Sequence, residues 1–368
     1  MNPAAQSCIQ GHEQEFRARL LAWYDAHARE LPWRESQDPY RVWLSEIMLQ
    51  QTRVTAVIAH YHEFLRRFPT VAKLAAARAA SVLAAWSGLG YYRRARMLHA
   101  AAKVVVRELS GKFPSTAEGL LALPGVGRYT AAAIASIAFG EAVAVVDGNV
   151  ERVLQRISGS RLSGERLWDT AEGLLDRERP GDFNQAMMEL GATVCTPRSP
   201  SCLTCPVVDL CATRGEMPAT EKLVRQKKKE IHYALDYRSE RGRGNAVFLV
   251  RRASDARLMA SMWELLEVEP DLSHATGKQV PRSARNDKAS KNVAANNGNK
   301  DKRSIGNNTG QLLFTVRHSI TVTDYTVWVW KRQVPDSALG EWIALRRLPT
   351  LAMTGLARKV LRKAGLLP

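Results

Sequence analysis

The chain is short of several things, and each shortage excludes a class of protein. No apolar run in its 368 residues approaches the roughly 20 that span a bilayer, so no membrane-spanning helix is expected. The stretch from Met1 to Gln14 lacks the basic and then apolar pattern of a secretory leader. A soluble, intracellular protein is the expectation. Cysteine is scarce at five residues, and four of them are bunched late in the chain. That argues against a disulfide framework and for a metal or cluster site, with Cys8 a bystander. Acidic residues number 36 against 53 basic ones, a formal net charge of +17. A polyanionic partner fits this excess; a basic surface kept for solubility fits it too. Strand signals are missing before about residue 246. Apolar content is missing from 271–310, which is rich in Asn, Lys, Ser and Gly and reads as disordered.

What is present organises the rest. Apolar residues make up 45% of the chain, enough for full cores in two or more domains. Residues 12–194 carry apolar positions at helical spacing and read as nearly all helix. Asp38-Pro39 starts a helix, Phe68-Pro69-Thr70 and Phe113-Pro114-Ser115-Thr116 break and cap others, and Gly88-Leu89-Gly90 and Gly125-Val126-Gly127 are tight turns. The cysteine loop spans 195–215. A basic linker follows over 216–232 and includes Arg225-Gln-Lys-Lys-Lys229. Residues 233–368 then form a smaller domain, with strands at 246–250, 312–316 and 326–330 and a basic amphipathic helix at 349–366. The fold class is an all-α domain joined to a smaller α+β domain.

Five constellations carry chemistry. Leu123-Pro-Gly-Val-Gly-Arg-Tyr-Thr130 reads as a glycine hairpin opening an alanine-rich helix. Free amides and the positive end of the dipole suit a phosphate oxygen there, with an ordinary helical connection as the alternative. Asp147 follows the apolar run Ala142–Val146 and precedes a helix. It suits an N-cap, and equally a carboxylate that stabilises a sugar cation. Glu46 lies three residues after Trp43 on one helical face. Apolar neighbours there would hold it protonated as a general acid; a solvated surface glutamate is the alternative. Gln50 and Gln51 end that helix with amides suited to bases or to a gap in a duplex, or form a plain polar end. Trp86-Ser-Gly-Leu-Gly-Tyr-Tyr-Arg-Arg-Ala-Arg96 sets stacking faces beside three arginines suited to phosphates, or else buries its aromatics at a basic helix start. Lastly, Cys195-x6-Cys202-x2-Cys205-x5-Cys211 places four thiols within seventeen residues. Zinc ribbons more often show two separated Cys-x2-Cys pairs, so the spacing favours iron–sulfur over zinc, in a structural role.

Together and in this order, these motifs resemble the helix-hairpin-helix DNA glycosylases, and within them the adenine DNA glycosylase family. Leu31-Pro-Trp-Arg34, Ser-Glu-Ile-Met-Leu-Gln-Gln-Thr52, Gly88-Leu-Gly-Tyr-Tyr92, the hairpin, Val146-Asp-Gly-Asn149 and the four cysteines carry the resemblance. It implies hydrolytic removal of adenine mispaired with 8-oxoguanine, or less efficiently guanine, from duplex DNA. A nucleoid-associated cytoplasmic monomer is the corresponding expectation. Glu46 matches the acid that protonates adenine and then helps activate water. Asp147 matches the carboxylate that stabilises, or transiently bonds, the sugar cation. Asn149 supports it, and Tyr129 lies close by. Trp33, Arg34, Gln185 and Met188 match adenine-pocket positions. Gln51 and Tyr91 match residues that enter the duplex, and Leu49, Gly125 and Gly127 complete the DNA-contacting set. Cys195, Cys202, Cys205 and Cys211 would hold a [4Fe–4S] cluster. Endonuclease III-type relatives carry a lysine nucleophile where this chain has Tyr129, which implies a glycosylase without strong lyase activity. A glycosylase/lyase and a non-catalytic lesion sensor are the competing readings.

The second domain resembles a Nudix-like 8-oxoguanine reader. Met262-Trp-Glu-Leu-Leu matches a recurrent strand, and Arg317-His318 matches the start of the reading loop. That loop in many members continues into Phe-Ser-His. Here it continues Ser319-Ile-Thr-Val322, so Thr321 offers a hydroxyl and the histidine is missing. No acidic Nudix box is present, which argues against pyrophosphohydrolase activity.

Overall fold

The computed structural model describes residues 11–217, 227–240, 244–253, 255–256, 259–269, 310–320 and 323–368. The chain divides into two compact units, Met1–Lys222 and Leu223–Pro368. The first is helical throughout its described length. In order it holds α1 (Glu13–His27), α2 (Pro39–Leu49), α3 (Val54–Arg67), α4 (Val71–Ala76), α5 (Ala79–Ala85) and α6 (Arg93–Arg107). After these come α7 (Ala117–Leu121), α8 (Arg128–Phe139), α9 (Gly148–Ser158), α10 (Glu165–Leu174) and α11 (Pro180–Thr193).

The helix starts follow from local chemistry. Asp38 accepts from the Tyr40 amide at 2.9 Å ahead of Pro39. Thr70 and Thr116 cap α4 and α7, each at 3.2 Å. Each side-chain oxygen satisfies a first-turn amide that has no partner within its helix. Helix α2 is buried from Val42 to Met48, the pattern of a helix enclosed on all sides. Phe16 and Leu20 of α1 pack with Val153 and Leu154 of α9 and Phe183 and Leu190 of α11.

Helix α11 meets its neighbours backbone to backbone at both ends. A Cβ on Gly181 would stand 2.7 Å from the Ser136 carbonyl oxygen of α8, and one on Gly191 would stand 2.6 Å from Asn149 Cβ and 3.0 Å from Asn149 O of α9. Gly191→Ala is therefore expected to destabilise the unit by about 1–3 kcal/mol through overpacking. A thermal midpoint equal to that of the native chain would show that the two helices part freely.

The second unit holds two sheets. In the first, β1 (Lys227–Leu235) lies between the short β5 (Leu266–Glu267) and β7 (Thr323–Lys331), and β6 (Gln311–Ile320) follows β7. Strands β1 and β7 are parallel; β6 and β7 form an antiparallel hairpin. In the second, β3 (Gly244–Arg251) pairs with β2 (Tyr237–Glu240), β4 (Trp263–Glu264) and β8 (Glu341–Ala344), all antiparallel. The core draws on both sheets, through Tyr233, Val247, Val327 and Ile343 among others. It is closed by α12 (Gly355–Lys363), which buries Leu356, Ala357, Val360 and Leu361. No helix among the described residues is long and apolar enough to cross a membrane.

Three expectations are corrected. The linker does not run to residue 232, because Lys227–Leu235 is a strand; its exposed first half hides the inward alternation of Ile231, Tyr233 and Leu235. The last helix is shorter than 349–366, because Leu345–Thr350 is a 3-10 turn and Thr354 caps α12. Arg317 and His318 do not begin a loop but lie within β6, opposite Thr326 and Tyr325. Cys8, Thr321, residues 218–226 and residues 271–309 of the insert lie outside the described residues.

Candidate active site

Glu46 is only 5% exposed, so it is not a solvated surface glutamate. Helix α2 sets it facing the start of α8, where the Tyr129 hydroxyl donates to its Oε2. Burial pushes the Glu46 carboxyl up to about 7; the bond from Tyr129 opposes this, nearby Asp147 adds to it, and Arg34 opposes it. A carboxyl near neutrality is suited to give and take a proton. Burial, with the charges of Glu46 and Asp147, pushes the Tyr129 hydroxyl well above its ordinary value. Tyr129 therefore stays a donor. Its hydroxyl also lies 3.6 Å from Met188 Sδ on α11.

Asp147 caps α9 and has both oxygens engaged. Oδ1 accepts from the amides of Asn149 at 2.9 Å and Val150 at 2.7 Å. Oδ2 accepts from Asn149 Nδ2 at 2.9 Å. Asn149 Oδ1 in turn accepts from Arg152 Nη2 at 2.8 Å. Arg152 also donates to Gly191 O at 2.6 Å and Cys195 O at 2.8 Å. The N-cap and functional readings of Asp147 are thus compatible, since the cap fixes the carboxyl in space.

Residues legible only in three dimensions complete this region. Glu189, 1% exposed, binds Arg29 Nε at 2.5 Å and Nη2 at 2.8 Å, and Arg34 Nη2 at 2.9 Å. Burial works to raise its carboxyl, and the two guanidiniums overcome it, so it lies below the ordinary range. Glu189 thereby holds Arg34 in place over the Tyr24 ring, 5.4 Å from its centroid. Spacing of about 155 residues between the partners leaves no local signal. Trp33 is buried edge-on to Tyr61. Gln185 and Leu49 are half-buried.

Around the Gly88–Gly90 turn the structure separates the residues. Tyr91 is 47% exposed and Tyr92 is 4% exposed. Arg94 points inward, donating to backbone carbonyls of α2, so it is not one of the phosphate-facing arginines expected. Gln51 is exposed, while Gln50 bonds Thr130 Oγ1 at 3.2 Å. In the hairpin, Leu123 and Val126 are buried, and Gly125, at φ +77°, lies against Met97 of α6. Gly127 and the first turn of α8 have no side-chain cap.

Cys195, Cys202, Cys205 and Cys211, with Val153, Arg156, Ile157 and Leu190, line one pocket. Arg156 Nη1 donates to Cys195 Sγ at 3.3 Å and to Thr196 O at 2.7 Å, and the Arg214 amide donates to Cys211 Sγ at 3.4 Å. Burial pushes the Cys205 thiol up to about 11 and raises the Cys195 thiol as well. Iron would supply the positive charge that makes such buried thiols into thiolate ligands. Four cysteines lining one pocket fit a cluster.

Residues 44–167 match the model of the HhH-GPD superfamily of base excision DNA repair proteins. A thermostable thymine-DNA glycosylase of known structure aligns with a TM-score of 0.53 at 31% identity, over 56% of this chain and 97% of its own. The chain belongs to the HhH-GPD superfamily. Among curated proteins it is similar to the adenine DNA glycosylase of Homo sapiens, 53% identical over 223 residues, 56% of this chain and 41% of that protein. It is also similar to the adenine DNA glycosylase of Arabidopsis thaliana, 39% identical over 305 residues, 69% of this chain and 48% of that protein. The chain thus spans less than half the length of these two relatives. Residues 195–211 match the iron-sulfur binding domain of endonuclease III, and an iron–sulfur cluster is the cofactor of the cysteine loop.

Proposed function

We propose that the protein is a monofunctional DNA glycosylase that hydrolyses the N-glycosidic bond of adenine mispaired with 8-oxoguanine, or with guanine, in duplex DNA. The observation that carries this reading is a buried carboxyl, Glu46, raised to about 7 and bonded by Tyr129, beside the fixed carboxyl of Asp147. The adenine leaves the stack and enters a pocket walled by Trp33, Arg34, Gln185 and Met188. Glu46 gives its proton to the base, N7 being the accessible nitrogen. The base then departs as a neutral leaving group when the bond from sugar C1′ to N9 breaks. Positive charge develops on the sugar, and Asp147 opposes it from a position fixed by three N–H donors. Glu46, now ionised, takes a proton from the water that attacks C1′. Tyr129 offers no amine, so no imine forms with the sugar and the strand stays intact.

The hairpin, with Gly125 and Gly127, would receive a backbone phosphate at the open end of α8. Gln51 and Tyr91, with Leu49 behind them, would enter the duplex. The second unit would be a Nudix-like domain reading the opposite base near His318 and Thr321. A [4Fe–4S] cluster held by the four cysteines supplies structural rigidity when bound, keeping the loop and its neighbour α9 in place. Cys205→Ser is accordingly expected to lower both iron content and thermal midpoint. Full iron with unchanged melting would remove Cys205 from the ligand set.

Incubation with duplexes carrying A opposite 8-oxoguanine, A opposite G, or thymine glycol tests the function. Adenine release from the first two without strand breaks is expected. Release only from the thymine glycol duplex would overturn the adenine reading. Breaks without alkali would indicate a lyase, and no release from any duplex would favour a lesion sensor.

A further inference from the structure

Among the non-glycine residues with left-handed backbone, two exposed ones flank the same half-buried arginine. Gln51 has φ 55° and Tyr91 has φ 45°. Such a conformation costs a non-glycine residue on the order of 1 kcal/mol and persists only where the surroundings impose it. At Gln51 the turn is closed by its own bond from Thr52 N to Leu49 O at 3.1 Å, and one side chain, Arg94, braces both turns. Arg94 Nη1 donates to Ile47 O at 2.8 Å, Met48 O at 3.1 Å and Gln50 O at 2.5 Å, which closes the end of α2 just before Gln51. Its Nη2 donates to Thr52 Oγ1 at 3.1 Å, just after Gln51, and to Leu89 O at 3.2 Å in the turn before Tyr91. The guanidinium also lies 5.4 Å from the centroid of the Tyr91 ring.

One planar fork therefore ties both strained tips. A lysine has one nitrogen with three donors and lacks the planar fork, so it cannot reach all five of these acceptors. Burial pulls the Arg94 guanidinium down to about 10, and it remains a charged donor at neutral pH. The tips it joins present an amide and a phenol ring to the outside. That pair is suited to fill and stack within an opened duplex.

We infer that Arg94 is a positioning residue that fuses the Gln51 and Tyr91 tips into one rigid wedge, on which extrusion of the base depends. The inference rests on the glycosylase reading for its substrate. Arg94 touches no reacting atom and acts through the two tips.

Two measurements test it. In the first, 2-aminopurine replaces the target adenine opposite guanine. The native protein raises its fluorescence as the base leaves the stack, and Arg94→Lys is expected to lose most of that rise. An undiminished rise overturns the proposal. In the second, single-turnover adenine release by Arg94→Lys is expected to be roughly tenfold slower or more. The same change is expected to add no loss in a Gln51→Ala/Tyr91→Ala background. Losses that multiply would mean that Arg94 acts through the helix carrying Glu46, and the wedge role falls. Should melting show that Arg94→Lys is unfolded, Thr52→Val, which removes one of its acceptors, takes its place with the same outcomes. Absence of adenine release by the native chain would defeat the glycosylase reading, while the fluorescence change would still decide the wedge.

Discussion

Glu46→Gln is expected to release adenine from an A·8-oxoguanine duplex roughly a thousandfold more slowly than the native chain, as loss of a general acid implies. Glutamine fills the same space and accepts the Tyr129 hydrogen bond, but it has no proton to give. Duplex binding should persist. The native rate should fall as pH rises above about 7, where the Glu46 carboxyl loses its proton. The same shift has a consequence for folding. Burial raises this carboxyl from 4.5 to about 7, so the folded state holds a proton that the unfolded state releases. The stability this gives is complete below the unfolded value and is lost as pH rises through about 7. Glu46→Gln removes that titration. Its thermal midpoint relative to the native chain should therefore be higher at pH 8 than at pH 5. Midpoints that run parallel across this range, or a variant with near-native turnover, would sink the assignment.

Asp147→Asn is expected to reduce the single-turnover rate by about a hundredfold to a thousandfold, the loss seen when one group aimed at developing charge is removed. Asparagine is as good an N-cap as aspartate, so the amides of Asn149 and Val150 keep their acceptor. What disappears is the negative charge facing the sugar. The new amide also meets Asn149 Nδ2, donor against donor, and a small fall in thermal midpoint should accompany the loss of rate. Duplex affinity measured by fluorescence anisotropy should change little. A rate within a few fold of native would show that the cation is stabilised by another group.

The sequence was most legible where chemistry is local. Asp38, Thr70, Thr116 and Asp147 all cap helices because each accepts from an amide two or three residues ahead, and such spacing can be read directly. The bunched cysteines were legible for the same reason. Glu46 was named from its motif, but its bond to Tyr129 spans 83 residues and only packing reveals it. The pairing of Glu189 with Arg29 and Arg34 has no signature in the sequence, because buried charges far apart along the chain leave no period. The inward aim of Arg94 has no sequence signal, because a basic turn looks the same whether its guanidinium meets phosphate or carbonyl oxygens. In the second unit, Lys227–Glu230 concealed a strand, since four exposed polar residues carry no alternation to read.

Helix α11 meets its neighbours through glycine at both ends and through buried side chains in between. Gly181 sets the spacing to α8 and Gly191 the spacing to α9, while Phe183, Met187 and Leu190 fill the core between them. A single methyl at either glycine would push a neighbouring helix away, and Met188, which packs against the core and meets the Tyr129 hydroxyl, would move with it. A change at Gly181 or Gly191 would therefore reach Glu46 without touching it, by way of Met188 and Tyr129.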